Sequence, residues 1–301
     1  MELEALASAQ DGVVTTAQLR GCGVSRAVER RRLNEGAWLR LHRGVLLVQP
    51  ERATGNAAWV AARGAHLACP GAVLAGRTAA RLYELAGITD GPEEVLVEPH
   101  RAVRARPRLL AHRGHLGQDE VTTVRGMPVT TPGRTLTDLS LGSDRLVAVA
   151  LTDSALRRGA VTARDLSGLA DRASGRPGSG GLVDLWNLAD SRSESVLESR
   201  VRLRCVDDGL PPDALQLVVR DAHGAVVGRA DLAFRRPGRR GWLLVEADGA
   251  GVHGSPDALF RDRARANALT ALGHLLLRFT WRDTLDPFTI PRSVRAALRA
   301  A

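Results

Sequence analysis

Residues 13–48 read VVTTAQLRGCGVSRAVERRRLNEGAWLRLHRGVLLV, and the fold of the N-terminal region turns on them. Leu3 and Leu6 start a helix ahead of this stretch, with Val13 as a core contact beyond it. Thr16 caps a second helix, Ala17 to Gly21, which Gly21 and Gly23 end. Ser25 caps a third, Arg26 to Leu33, ended by Gly36. Two helices across a tight glycine-containing turn predict a helix-turn-helix. Trp38–Leu41 and Val45–Val48 then flank His42-Arg43-Gly44 as a strand-turn-strand wing. Between Arg20 and Arg43 stand seven arginines and two glutamates. Arg26, Arg30, Arg31 and the wing's Arg43 suit phosphates or guanine edges. The same charges would also serve as the solvated face of a protein-contact module; the local excess favours duplex DNA.

The whole chain, 301 residues, is long enough for two or three domains. With 44% hydrophobic and 25% charged residues, wholesale disorder is excluded. A formal net charge of +9 favours polyanionic partners. All 42 basic residues are arginine, which excludes Schiff-base chemistry, a Walker lysine and a lysine general base. Cys22, Cys69 and Cys205 form no CxxC pair, which argues against a disulfide framework or a cysteine zinc site. With no signal-type apolar core and no apolar run of membrane length, the expectation is a soluble, cytoplasmic protein with no membrane partner.

The expected class is a multidomain α/β chain in four parts: residues 1–50, a winged helix-turn-helix; 51–173, a mixed α/β domain; 174–192, a linker with a short helix; and 193–301. The stretch Ser174–Gly181 has linker composition. In the mixed domain His112 and His115 read as surface residues rather than metal ligands. Residues 193–286 order as helix, strand, strand, helix, strand, the first helix opening on Ser195-x-x-Glu198, also a capping-box pattern. Asp231 lies inside the apolar run Ala230–Phe234, and Glu246 and Asp248 end the run from Trp242, sharing one face of a strand. If the hairpin turns about Gly238-Arg239, Asp231 faces Glu246 across the ladder. Two such carboxylates need a shared proton, an arginine or a divalent cation. With Glu198 they make an all-oxygen set suited to Mg²⁺ or Mn²⁺. An equally open reading is a salt-bridge network, Asp231 with Arg229 or Arg278 and Glu246 with an arginine of the helix Ala258–Leu272.

These strings carry a resemblance. Residues 12–48 resemble the winged domain of AbiEi-type antitoxins, and Arg77–Leu82 and Gly126–Leu139 are similar to the domain that follows it in actinobacterial members. Residues 193–286 resemble very-short-patch-repair and PD-(D/E)XK endonucleases, through Ser195-x-x-Glu198, Ala230-Asp-Leu-Ala233, Val245-Glu-Ala-Asp-Gly249, His253, Arg261-Asp-Arg263 and Leu277–Trp281. That resemblance implies a restriction-endonuclease-like α/β/α domain, with Glu198, Asp231 and Glu246 as ligands of Mg²⁺ or Mn²⁺. Asp248 sits where the wider group has lysine, and His253 would handle protons in its place. The implied activity is phosphodiester hydrolysis on double-stranded DNA, in defence or repair. The rival is an antitoxin-like transcriptional regulator, which uses the nuclease fold only for binding. Its protein partner would be a cognate toxin or a second copy of the chain.

Overall fold

The computed structural model describes residues 2–103, 106–249 and 256–300. The chain is a mixed α/β protein, with three sheets among the described residues, and divides into two compact units, residues 1–142 with 163–179, and residues 143–162 with 180–301.

The first unit opens with α1 (Leu3–Ala9), β1 (Val13–Thr15), α2 (Thr16–Gly21), α3 (Arg26–Asn34), β2 (Leu39–His42) and β3 (Val45–Leu47). The three strands form one sheet in the order β1-β3-β2, so the N-terminal region is a winged helix. Val13 is a core contact as expected, 0% exposed, and also a strand residue, paired with Leu47. Three residues are too few for alternation to show in the sequence. The cap of α2 is Thr15, not Thr16: Thr15 Oγ1 accepts from the Gln18 amide at 3.1 Å, and Gln18 Oε1 accepts from the Thr15 amide at 2.8 Å. Thr15 ends a strand and so already has the extended backbone that a cap residue needs. Ser25 caps α3 as expected, its hydroxyl accepting from the Val28 amide.

Next come α4 (Ala57–Ala68), β4 (Val73–Leu74), α5 (Gly76–Leu82), β5 (Glu93–Val97), β6 (Leu109–Arg113), β7 (Val121–Val124), β8 (Met127–Thr130) and α6 (Pro132–Gly142). After α7 (Arg145–Arg157), which belongs to the second unit, α8 (Ala163–Ala173) completes the first. The five strands order as β6-β5-β4-β8-β7, with β5–β6 and β4–β8 parallel. The β7–β8 turn holds Arg125 and Gly126 at φ +48° and +73°, a two-residue hairpin geometry that glycine favours at its second place. Buried Arg63 of α4 donates to Asp11 at 3.0 Å and to the Arg125 carbonyl at 2.8 Å, tying the winged region to that turn. The glycine-rich stretch after α8 runs in turns, and its Arg176 pairs with Asp138.

In the second unit α7 is followed by α9 (Leu182–Trp186), α10 (Val196–Asp207), β9 (Ala214–Arg220), β10 (Val226–Arg235), β11 (Trp242–Ala247), α11 (Pro256–Ala271), β12 (Leu275–Phe279) and α12 (Thr289–Arg299). The sheet runs β12-β11-β10-β9, with only β11–β12 parallel. Leu197, Val201 and Cys205 of α10 and Ile290 and Val294 of α12 pack with Leu232, Phe234, Leu243 and Val245. Leu269 of α11 packs with Val219, Ala233 and Leu244. The sheet is therefore covered by helices on both sides. Three strands precede α11 where the sequence predicts two. The extra one, β9, is an edge strand of mostly half-buried residues broken by Gln216 at φ +53°, so its apolar pattern is weak.

A buried polar knot joins α7 to α10. Asp153, 1% exposed, accepts from Arg202 at 2.7 Å, from the Ser199 hydroxyl at 2.6 Å and from the Asp190 amide at 2.6 Å. Removing one partner of a buried pair strands the other charge. Asp153→Ala is therefore expected to lower unfolding free energy by about 3–5 kcal/mol in urea titrations. A loss within error of zero would show that the pair contributes nothing.

Candidate nucleic-acid interface

Helix α3 has no fully buried residue; Leu33 packs against Leu19 and Leu46, and Arg26, Arg30, Arg31 and Asn34 are exposed. Between α2, α3 and β2 lies an open groove of about 680 Å³, lined by Arg20, Arg26, Glu29, Arg30, Asn34 and Arg40 among others. Glu29 is largely covered, salt-bridged by Arg20 and 3.9 Å from Arg40. One carboxylate thus holds two guanidiniums in place while the groove stays net positive. Arg26, Arg30 and Arg43 have no acidic partner among the described residues. Arg31, by contrast, lies 3.8 Å from Glu35. Arg43 is exposed at the wing tip beside Gly44, whose φ of +78° makes the turn. Arg20 and Arg40 were not singled out in the sequence. Arg40 sits between Leu39 and Leu41 in a four-residue strand, and only the sheet register reveals which face carries it.

The four carboxylates singled out in the C-terminal region all fall in the second unit, and His253 lies outside the described residues. The β10–β11 register is the expected one, Leu232 opposite Val245 and Ala233 opposite Leu244, which carries Asp231 toward Glu246. Their contacts differ. Glu246, 5% exposed, has both oxygens on arginine, accepting from Arg265 at 2.6 and 2.9 Å and from Arg278 at 3.1 Å. Both arginines also reach Asp262. Asp231 accepts from the Ala247 amide at 2.8 Å and forms no salt bridge among the described residues; Arg229 turns instead to Glu194. Glu198 uses one oxygen for both the Glu194 amide and the Gln216 amide group, at 2.7 and 2.8 Å. Asp248 stands 3.9 Å from Arg278.

Electrostatically the carboxylates do meet. Burial raises the Glu198 and Asp231 pKa values, with Asp231 adding to the first and Glu246 to the second. Asp248 is raised by burial too, with Glu246 adding to it and Arg278 opposing. As arranged, however, no group of three histidine, cysteine, aspartate or glutamate side chains among the described residues stands as a metal-ligand cluster. With Glu246 clamped by two guanidiniums, this set does not fit a divalent cation in the conformation seen.

The raised values set a sign. An acid whose pKa is higher folded than unfolded contributes stability below its unfolded pKa and loses it as pH rises through the folded value. Asp231→Asn keeps the acceptor for the Ala247 amide and removes the charge. It is expected to raise the denaturation midpoint at pH 7 and to leave it unchanged near pH 3; equal midpoints at both pH values would refute the strain.

Residues 1–49 match the sequence model of a family described as "Transcriptional regulator, AbiEi antitoxin". Over 173 residues the chain is 32% identical to the uncharacterized proteins MT2308 and Rv2248 of Mycobacterium tuberculosis, strains CDC 1551 / Oshkosh and ATCC 25618 / H37Rv. The aligned region covers 57% of this chain and 61% of each relative, so the match spans less than two thirds of the curated relatives' length. The winged helix with its arginine-lined groove is thus the part of the chain that is similar to the regulator domain of AbiEi antitoxins.

Proposed function

We propose that this chain is a DNA-binding transcriptional regulator of the antitoxin type, with duplex DNA as its ligand and a cognate toxin as its protein partner. The observation that carries the reading is the groove beside α3, where Arg26 and Arg30 have no acidic partner among the described residues and Arg20 and Arg40 are oriented by Glu29. In winged helices of this kind the second helix of the helix-turn-helix enters the major groove. Arginine is suited to both roles needed there, the bidentate grip on phosphate and the guanine edge. Arg43 on the wing would take a phosphate beside the site. The likeness of residues 1–49 to AbiEi regulators agrees with this assignment.

Each phosphate contact releases counterions, so affinity falls with salt at a slope of about 0.9 per phosphate neutralised. In fluorescence anisotropy across a salt series, Arg26→Gln, Arg30→Gln and Arg43→Gln are each expected to weaken binding and to shallow that slope by about one where a phosphate contact is lost. Unchanged affinity and slope in all three would make the winged region a protein-contact module.

A second reading, a Mg²⁺- or Mn²⁺-dependent endonuclease with a restriction-endonuclease-like α/β/α second unit, has one observation in its favour. Beyond burial, Asp231 raises the pKa of Glu198 and Glu246 that of Asp231, and the β10–β11 register carries Asp231 toward Glu246. For that chemistry Glu246 would have to leave Arg265 and Arg278, with His253 the proposed acid–base group. Plasmid nicking with either cation decides between the two. The regulator is expected to give no nicking above an Asp231→Ala control; metal-dependent nicking lost in Asp231→Ala would establish the nuclease.

A further inference from the structure

In the first unit, away from the α3 groove, the segments Gly76–Leu82 and Gly126–Leu139 meet at a cavity of about 590 Å³ that neither reading uses. That volume lies within the range of small-molecule sites. One wall is Glu94, 5% exposed, which accepts from Arg77 Nε and lies 3.2 Å from His112 Nε2. Gly76 makes this possible. Its φ is +51°, and a Cβ at that position would lie 1.9 Å from Glu94 Oε2. The opposite wall is cationic. Arg134, 11% exposed at its side chain, holds Asp138 at 2.9 Å and Glu120, and Arg176 pairs with the other oxygen of Asp138. Arg172 lines the same cavity and has no acidic partner among the described residues. Four lining arginines, Arg113 included, face three carboxylates, before His112 is counted.

We propose that this cavity binds a small phosphate monoester, held by Arg172, Arg134 and His112. Guanidinium forks match the oxygens of a phosphate dianion and supply donors only. Arg134 is held by Asp138 and Glu120, and so is oriented in advance and loses little side-chain freedom when an anion arrives. His112 contributes in the same sense. The hydrogen bond to Glu94 raises its pKa against the opposing effect of burial, with Asp138 adding to the rise and Arg77 opposing it. Its Nε2 is engaged by Glu94, and once protonated its Nδ1–H is a further donor, with no partner among the described residues. Glu94 itself is brought down to about 2: burial pushes it up, and the hydrogen bonds from His112 and Arg77 outweigh that. It therefore stays ionised as the anchor of the wall. A single carboxylate ligand would leave part of this donor set unmet; a phosphate dianion matches its charge and its geometry.

The test is isothermal titration calorimetry on the full chain, with adenosine 5′-monophosphate and inorganic phosphate as probes. The nucleotide is expected to bind with a dissociation constant of about 1 mM or tighter. Arg172→Gln and His112→Gln are each expected to weaken it about 10–100-fold, the usual cost of one charge-assisted hydrogen bond. Arg26→Gln, in the winged helix, should leave it unchanged. Absence of saturable binding by the wild type would overturn the proposal, as would wild-type affinity in both cavity variants. Loss in Arg26→Gln alone would place the phosphate in the α3 groove and overturn it too, without touching the DNA-binding reading. Inorganic phosphate binding as tightly as the nucleotide would overturn the ester and leave free phosphate as the occupant.

Discussion

Burial of β3 on both faces is the constraint on which the first unit depends. Leu46 points into the small core of the winged helix with Leu6, Val14 and Leu19, while Val45 and Leu47 point the other way, to Val60, Ala62 and Leu74. All three β3 residues are at most 2% exposed. A strand between two cores cannot shift register without turning apolar side chains into the wrong environment, because a slip of one residue exchanges the faces. The wing is therefore held from behind. With β3 fixed, β2 and α3 are left on the outer side, where Arg26 and Arg30 are exposed with no acidic partner among the described residues.

The second unit solves a different problem, the placement of several acids beside an apolar sheet. Glu246, Asp153 and Glu198 are each less than a tenth exposed, and each is satisfied differently: two arginines, one arginine with a hydroxyl and an amide, and neutral donors with no salt bridge among the described residues. Burial holds Glu198 and Asp231 above their ordinary pKa, and it does the same for Asp153 against the opposing pull of Arg202. Uncompensated buried acids of this kind are more often found at functional sites than in plain scaffolding, though ion-pair networks perturb acids as well. Here both occur within one sheet. The arginine-only basic composition makes this natural, since a planar guanidinium can bridge Glu246 and Asp262 at once where an ammonium presents a point charge.

Most of the regular elements were legible because their signals are local. Ser25 before an arginine-rich helix, Pro132 opening α6, and the turn at Gly126 each act through the backbone of their own few residues. The four-residue wing strand and the β10–β11 register were legible for the same reason, hairpin geometry being set by loop and parity. The strands β1, β4 and β9 were not. Two are three residues or shorter, and β9 has a half-buried edge pattern that periodicity does not resolve.

By itself the sequence determined the helix-turn-helix and wing and the excess of arginine along α3, and it offered the pairing that carries Asp231 toward Glu246 on the condition that the hairpin turns about Gly238-Arg239. These follow from caps, turns and two-residue periodicity, which neighbouring residues decide. Only the tertiary structure decided which charges are spoken for. Arg20 and Arg40 enter the groove through Glu29, Glu246 is clamped by an arginine nineteen positions ahead and another thirty-two ahead, and His112, a surface residue as expected, becomes the partner of Glu94. The physical reason is range. A cap acts over three or four residues of chain, whereas an ion pair is set by distance in space, and in a chain with 42 arginines and 33 acids the sequence offers many partners for every charge.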